Sequence, residues 1–258
     1  MAIIEPFALA IGFLLSYIHD YVSSYGISIV ILTVIINIII FPLTLRQTRS
    51  TKRMQDAQPE LKRLQKQYRD NKEELNKKVA EYYKENGINP LGCVVPLLVQ
   101  MPVWFALFRV LREPLLFIPK EATLFSKLQD PLSVLFYGMD LQVPASQINT
   151  WVERVPYIFL ILLVVGTALI QQNQLTKKQP KSNNPQQQQM QMIGKVMPLF
   201  FGFISWTLPS GLVVYFLTGN IFRIGQQALI VKLDENQANE EKKQNENKNT
   251  KEETFFWI

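Results

Sequence analysis

A chain of 258 residues that is 48% hydrophobic and strings its apolar residues into several long runs is a polytopic membrane protein, which excludes a soluble domain built on one core. Its lone Cys93 excludes a disulfide framework or a cysteine-pair metal site, and its lone His19 excludes a histidine cluster, so zinc and haem chemistry are not expected. The net charge of +6 gathers beside apolar runs, where basic residues set topology, so no readout of nucleic acid sequence is expected.

The N-terminus, beginning Met1-Ala-Ile-Ile-Glu-Pro, shows neither a basic n-region nor a small-residue cleavage site nor a lipid-acceptor cysteine, and no cleavage is expected. Residues 1–25 end in tyrosines, serines, His19 and Asp20, a mixture suited to the bilayer interface, and predict a helix lying on the outer surface. Full insertion of that helix is the alternative, and it reverses every later orientation. Residues 26–46 form a first span, since about 20 apolar residues cover a hydrocarbon core of about 30 Å. Asn37 falls some 15 Å below Ile27, near the midplane. Thr33, Asn37 and Thr44 share one face of this helix. A buried amide without a partner costs about 1–3 kcal/mol in proteins, so either water or a neighbouring helix faces Asn37.

Residues 47–89 leave the membrane: from Arg46 to Asn89 there are 12 Lys and Arg against 7 Asp and Glu. Met54, Ala57, Leu61, Leu64 and Tyr68 form one apolar stripe, and Leu75, Val79, Tyr82 and Asn86 form another beyond Asp70-Asn71, which together predict an antiparallel helical hairpin. Pro59 starts a fresh helix or kinks the first arm. Its exposed basic side chains Arg49, Lys52, Arg53, Lys62, Arg63, Lys66, Arg69 and Lys72 are candidates for partner docking.

A second span covers residues 90–112, opened by Asn89-Pro90 and closed by Arg109 and Arg112. Residues 113–153 hold short apolar pieces among prolines and polar residues; they are expected to be interfacial, with no core of their own. A third span covers 154–172, a Gln/Asn/Lys/Pro linker 173–191, a fourth span 192–209 and a fifth 210–231, with Pro209-Ser-Gly211 as the turn between the last two. Residues 232–258 are rich in Asn, Gln, Glu and Lys and are expected to be disordered. The fold class is thus an all-α membrane protein of five spans with an N-terminal interfacial helix and a cytoplasmic hairpin. Basic residues flank the hairpin side, including Lys177, Lys178, Lys181 and Lys195, which places the N-terminus outside and the C-terminus in the cytoplasm. Arg109 and Arg112 dissent from this count and are expected to snorkel to the outer headgroups.

Four stretches together resemble the YidC-type membrane protein insertases, in the short form without a large outer domain. They are Tyr25-Gly-Ile-Ser-Ile through Phe41-Pro-Leu-Thr44; Gln58-Pro-Glu60; Asn89-Pro-Leu-Gly92 with Pro96-Leu-Leu-Val-Gln-Met-Pro102; and Leu208-Pro-Ser-Gly-Leu-Val-Val-Tyr215 with Asn220 and Gln226-Gln227. The likeness runs in order over about residues 5–231. It implies a bacterial plasma-membrane protein that inserts nascent membrane proteins, alone or beside the SecYEG translocon, without nucleotide or cofactor. It also implies a polar groove open to cytoplasm and lipid and closed outside. Nascent chains and the lipid bilayer are the implied partners, with SecYEG, the ribosome or the signal recognition particle as candidates for the hairpin, and a functional monomer is expected. The family commonly has an arginine five residues before the proline of its first span, where this chain has Asn37, so charge-driven capture of acidic tails is in doubt while hydration of the groove is not. A tail with five lysines against seven acidic residues does not match the basic ribosome-binding tail of some members.

Candidate groove residues are Asn37, Thr44, Gln100, Thr167, Gln171, Asn220 and Arg223. Arg223 lies roughly 21 Å from Pro209 along the last span, where it either restores the charge missing at Asn37 or snorkels to inner headgroups. No carboxylate lies within a span, which argues against a proton relay and leaves burial of the substrate helix as the driving term. A small-solute transporter or channel is the rival from another class, but the spans show no internal repeat. An intramembrane hydrolase lacks its serine, histidine and carboxylate set, so no enzyme is expected.

Overall fold

The computed structural model describes residues 4–88, 95–130, 134–176 and 196–256. Helix α1 (Glu5–Val22) starts on Pro6 and stops at Ser23, whose left-handed backbone (φ 56°) lets its N–H bond the His19 carbonyl at 2.7 Å. The chain turns there and enters α2 (Tyr25–Asp56), so α1 folds back along the start of α2. One face of α1 is buried through Ala8, Leu15, Ile18 and His19, while Phe13, Tyr17 and Tyr21 on the other are 62, 52 and 75% exposed. That split suits a helix lying at an interface.

The α2 helix passes its Pro42 and the expected boundary at Arg46 without a break, so the first span runs directly into the first arm of the hairpin. The break comes at Ala57: α3 (Gln58–Gln67) starts afresh with Pro59 in its first turn, the outcome expected of a residue that lacks an N–H. After a short turn, Asn71 caps α4 (Lys72–Glu85) by accepting the Glu74 N–H at 3.2 Å. Ala57, Leu61 and Leu64 of the predicted stripe are buried, and α3 packs on α4 through them, whereas Leu75, Val79 and Tyr82 are half-buried. Asn89-Pro90 and Cys93, read as the opening of the second span, lie outside the described residues. The part of that stretch that is described forms the helix α5 (Val95–Arg112).

Residues 113–153 correct an expectation. Read as interfacial pieces with no core of their own, those among them that are described join the core of the bundle as a cap. It contains α6 (Thr123–Lys127) and a hairpin of β1 (Leu135–Phe136) with β2 (Met139–Asp140), paired antiparallel as Leu135 with Asp140 and Phe136 with Met139. Phe117, Ile118, Leu124, Leu128, Met139 and Leu141 are at most 5% exposed. The close fit depends on glycines in the helices beneath: a Cβ on Gly12 would overlap the Phe117 carbonyl, and one on Gly26 would overlap the Phe136 ring.

The stretch expected to be the third span lies in α7 (Trp151–Thr176), and α8 (Val196–Ser205) follows beyond residues outside the description, which include Lys177, Lys178, Lys181 and Lys195. The last helix, α9 (Ser210–Phe256), corrects a second expectation, because the tail read as disordered is helical as far as Phe256. No proline or glycine follows Gly225, and Lys, Glu and Gln are good helix formers.

In space α9 packs between α2 and α7, and α1 lies against α5 and α2. Phe201 of α8 meets Phe216 of α9 with ring centroids 5.8 Å apart, and Gly202 leaves room for Val165 of α7. The cap grips the α8–α9 turn: Ser210 and Gly211 donate their N–H groups to the carbonyls of Val143 and Leu141 at 3.2 and 2.8 Å, and Ser146 N–H bonds the Trp206 carbonyl at 3.1 Å. Two helical stretches, Tyr25–Met54 and Trp151–Gln174, are long and apolar enough to cross a membrane on their own, and Val196–Ser205 is a shorter apolar helix.

Candidate functional site

Burial is divided unequally along the bundle. Near the cap, α2 buries Tyr25, Ile29, Leu32 and Thr33, α5 buries Ala106, Leu107, Val110 and Leu111, α7 buries Tyr157, Leu160 and Val164, and α9 buries every residue from Leu212 to Phe216. Towards the hairpin this stops. No described side chain of α2 from Val34 to Asp56 is buried, nor any of α7 from Val165 to Gln174. In the same half α9 still buries Gly219, Asn220, Gln226 and Ile230, of which two have amide side chains.

The open half holds a polar seam between α7 and α9. Asn220, 7% exposed, donates its amide N–H groups to the Val164 carbonyl and the Thr167 hydroxyl, both at 3.3 Å. Its Oδ1 accepts from Arg223 Nη2 at 2.8 Å, a charge-assisted bond. The Thr167 hydroxyl in turn donates to the Leu163 carbonyl at 2.7 Å. Side chains on a helix lean towards its N-terminus, and Arg223 does so over Gly219, where a Cβ would stand 3.3 Å from Nη1. Its guanidinium is therefore drawn towards the cap, away from the hairpin end.

The remaining expected groove residues are placed differently. Gln100 of α5 reaches α9, with Nε2 3.5 Å from the Tyr215 hydroxyl, at the limit of a hydrogen bond. Asn37 is half-buried and spends an amide N–H on the Thr33 carbonyl of its own helix at 2.8 Å. Thr44 likewise bonds Ile40 at 3.3 Å. Gln171 is half-buried one turn beyond Thr167. Thr167, Asn220 and Arg223 thus form one cluster, Gln100 joins a second through Tyr215, and Asn37 and Thr44 stand apart on α2.

Two residues of this region were not picked out as site candidates. Tyr215 is 5% exposed, and Gln226 is 7% exposed with an Nε2 that has no partner among the described residues. Tyr215, Gly219, Arg223 and Gln226 lie at i, i+4, i+8 and i+11 of α9 and so share a face with Arg223. That spacing was the available signal.

Of the basic hairpin residues, Arg49, Arg53, Arg63, Lys66, Arg69 and Lys72 are exposed, and Lys52 and Lys62 are half-buried. Arg63 pairs with Glu60 at 2.8 Å, one turn away. Among the described residues no group of three or more His, Cys, Asp or Glu side chains stands close enough to hold a metal ion.

The geometry is that of a helical membrane protein whose bundle is sealed at one end and carries a polar seam towards the other. The family model described as the 60Kd inner membrane protein matches residues 17–238, and the chain belongs to that family. It is 36% identical over 194 residues to a membrane protein insertase YidC of Fusobacterium nucleatum, covering 75% of this chain and 79% of the relative. A YidC of Pelobacter propionicus is 36% identical over 195 residues, covering 75% of this chain and 32% of that protein. The chloroplast inner membrane protein ALBINO3 of Arabidopsis thaliana is 31% identical, with 75% and 43% covered. Against the latter two, the chain spans about a third to two fifths of the relative's length. The fold is similar to a crystal structure of an active YidC insertase with its first transmembrane domain resolved, at a TM-score of 0.52, 23% identity and coverage of 81% of this chain and 42% of the other.

Proposed function

We propose that this protein inserts nascent proteins into the bacterial plasma membrane through the open half of its bundle, alone or beside the Sec translocon. The observation that carries this reading is the Thr167–Asn220–Arg223 seam, set where the neighbouring helices bury almost no side chains. The names of the relatives support it. Spans formed by α2, α5, α7, α8 and α9 enclose a groove open to cytoplasm and lipid, with the N-terminus outside and the hairpin and C-terminus in the cytoplasm.

Carrying a hydrophilic tail through hydrocarbon is opposed by the loss of water around its charges and peptide groups. A wet groove that reaches partway from the cytoplasm shortens the dry distance, and the cap keeps the opposite side closed. Arg223 supplies the positive charge that Asn37 does not, and its bond to Asn220 aims that charge up the groove. The hairpin offers its exposed basic residues to the machinery that delivers the chain. Burial of the substrate's apolar helix in lipid then drives the exchange.

Protease protection tests this. A single-span substrate with a short acidic N-terminal tail is added, without nucleotide, to liposomes holding the purified full chain. Protection of the tail above that in empty liposomes is the expected result. Equal protection in both overturns stand-alone insertion, and a solute-induced ion current in the same liposomes would favour a transporter.

A further inference from the structure

Arg109 and Arg112, which dissent from the distribution of basic residues elsewhere, stand in the last turn of α5 at the capped end. The guanidinium carbon of Arg109 lies 5.1 Å from the centroid of the Phe117 ring, and that of Arg112 lies 5.7 Å from that of Phe108. A cation–π contact with an aromatic ring leaves the N–H groups of each guanidinium unspent. Neither arginine makes an ion pair or a hydrogen bond with a described side chain, the adjacent Glu113 included. Residues three apart on a helix are surface neighbours, so two uncompensated positive charges stand side by side.

The same face of α5 carries Phe105 and Met101, 38 and 41% exposed, one and two further steps along the helix. Its opposite face, Ala106, Leu107, Val110 and Leu111, is the one buried in the bundle. Arg112 and Met101 are about 16 Å apart along the axis, close to the hydrocarbon depth of one leaflet, about 15 Å. Apolar surface of one leaflet's depth, topped by two arginines, matches the layout of a single phospholipid.

We infer that this stripe holds one anionic phospholipid in the leaflet away from the hairpin, with its phosphate diester at Arg109 and Arg112 and an acyl chain along Phe105 and Met101. The inference rests on the membrane reading of α5 given above. A zwitterionic headgroup would add an ammonium beside the two guanidiniums and lose part of the attraction, so a net negative headgroup is selected. An acidic peptide would meet the same charges but would have to lay polar backbone along the apolar stripe.

The test uses the full chain with Trp104 as its sole tryptophan, reconstituted into vesicles of equal parts phosphatidylglycerol and phosphatidylcholine, with brominated acyl chains on one lipid or the other. Trp104 stacks on Phe108, the ring beneath Arg112, at 6.0 Å. Brominated phosphatidylglycerol is expected to quench it as though enriched about 5- to 10-fold over phosphatidylcholine, a preference lost in the Arg109→Gln/Arg112→Gln double variant. The ratio of the two lipids retained by the unaltered chain through purification in mild detergent should show the same preference. Equal quenching and equal retention, or a preference that survives in the double variant, overturns the lipid site, as does an acidic peptide cross-linking there without any lipid preference. Labelling of Leu116→Cys in a Cys93→Ser chain by an impermeant reagent separates the two levels. Reaction only from the hairpin side overturns the membrane reading itself, whereas reaction from the opposite side without lipid preference removes only the lipid site.

Discussion

The capped half and the hairpin half of the bundle are built from the same helices, yet they hold together in different ways. Near the cap, Ile29, Leu32, Leu107 and Leu124 are wholly buried, and glycines let the cap's backbone and rings touch the helices. Near the hairpin, the described side chains of α2 from Val34 and of α7 from Val165 are at most half-buried, and hydrogen bonds around Asn220 join α7 to α9. Close packing resists changes of even one methylene, while a seam of polar bonds can be exchanged with water or with another chain at little cost. The difference teaches that a rigid seal and a yielding passage can share one set of helices if apolar packing is confined to one end.

Substitutions break this comparison in a graded way. The largest loss is expected from Leu141→Ala, 1% exposed in the cap, at about 2–5 kcal/mol by thermal unfolding in detergent. Next comes Gly12→Ala, which sets a methyl against the Phe117 carbonyl and should cost about 1–3 kcal/mol in the same assay. In the open half, Arg223→Gln should leave the unfolding temperature nearly unchanged but lower protection of an acidic tail about 5-fold, the worth of roughly 1 kcal/mol per charge, and Asn37→Arg should recover it. A recovery that fails would mean that Arg223 does not stand in for that position.

A fourth effect is pH-dependent and belongs to the cap. His19 is 1% exposed, its Nδ1 lies 3.4 Å from the Ser28 hydroxyl, and its Nε2 has no partner among the described residues. Burial, and then the charge of Lys127, hold it below its ordinary value of 6.5, while Asp20 opposes them. A histidine whose folded-state value is depressed contributes stability above its unfolded value and loses it as the pH falls. Hydrogen exchange of the α1 amides should therefore quicken as the pH falls below about 6.5, and the change should flatten in His19→Gln. The smallest effect is expected from Phe203→Ala, 74% exposed on α8, which should shift unfolding by less than about 0.5 kcal/mol.

How far these halves could be read in the sequence follows from the range of the forces involved. The long apolar runs of α2 and α7 announce themselves, because a span must be apolar over its whole length. The hairpin shows in its stripes, since Ala57, Leu61 and Leu64 meet a near neighbour in the chain. The cap did not show, because Phe117 and Leu141 are buried by helices distant in sequence, and short apolar pieces look alike whether they face lipid or one another. Within the site, Asn220 and Thr167 were legible as polar groups in apolar runs, but their meeting across α7 and α9 was not. Asn37 drew the eye by its depth, yet its amide bonds its own helix. The tail misled because a composition that cannot bury a core can still propagate a helix already begun.

That continuity has a mechanical consequence. From Ser210, clamped beneath the cap, to Phe256, α9 is one rod of 47 residues, about 70 Å long. Gly225 is its last glycine and it contains no proline, so the portion beyond has no built-in joint. The face that bears Arg223 and Asn220 and the charged tail thus belong to one unbroken helix, anchored at its start by the clamped turn at Ser210.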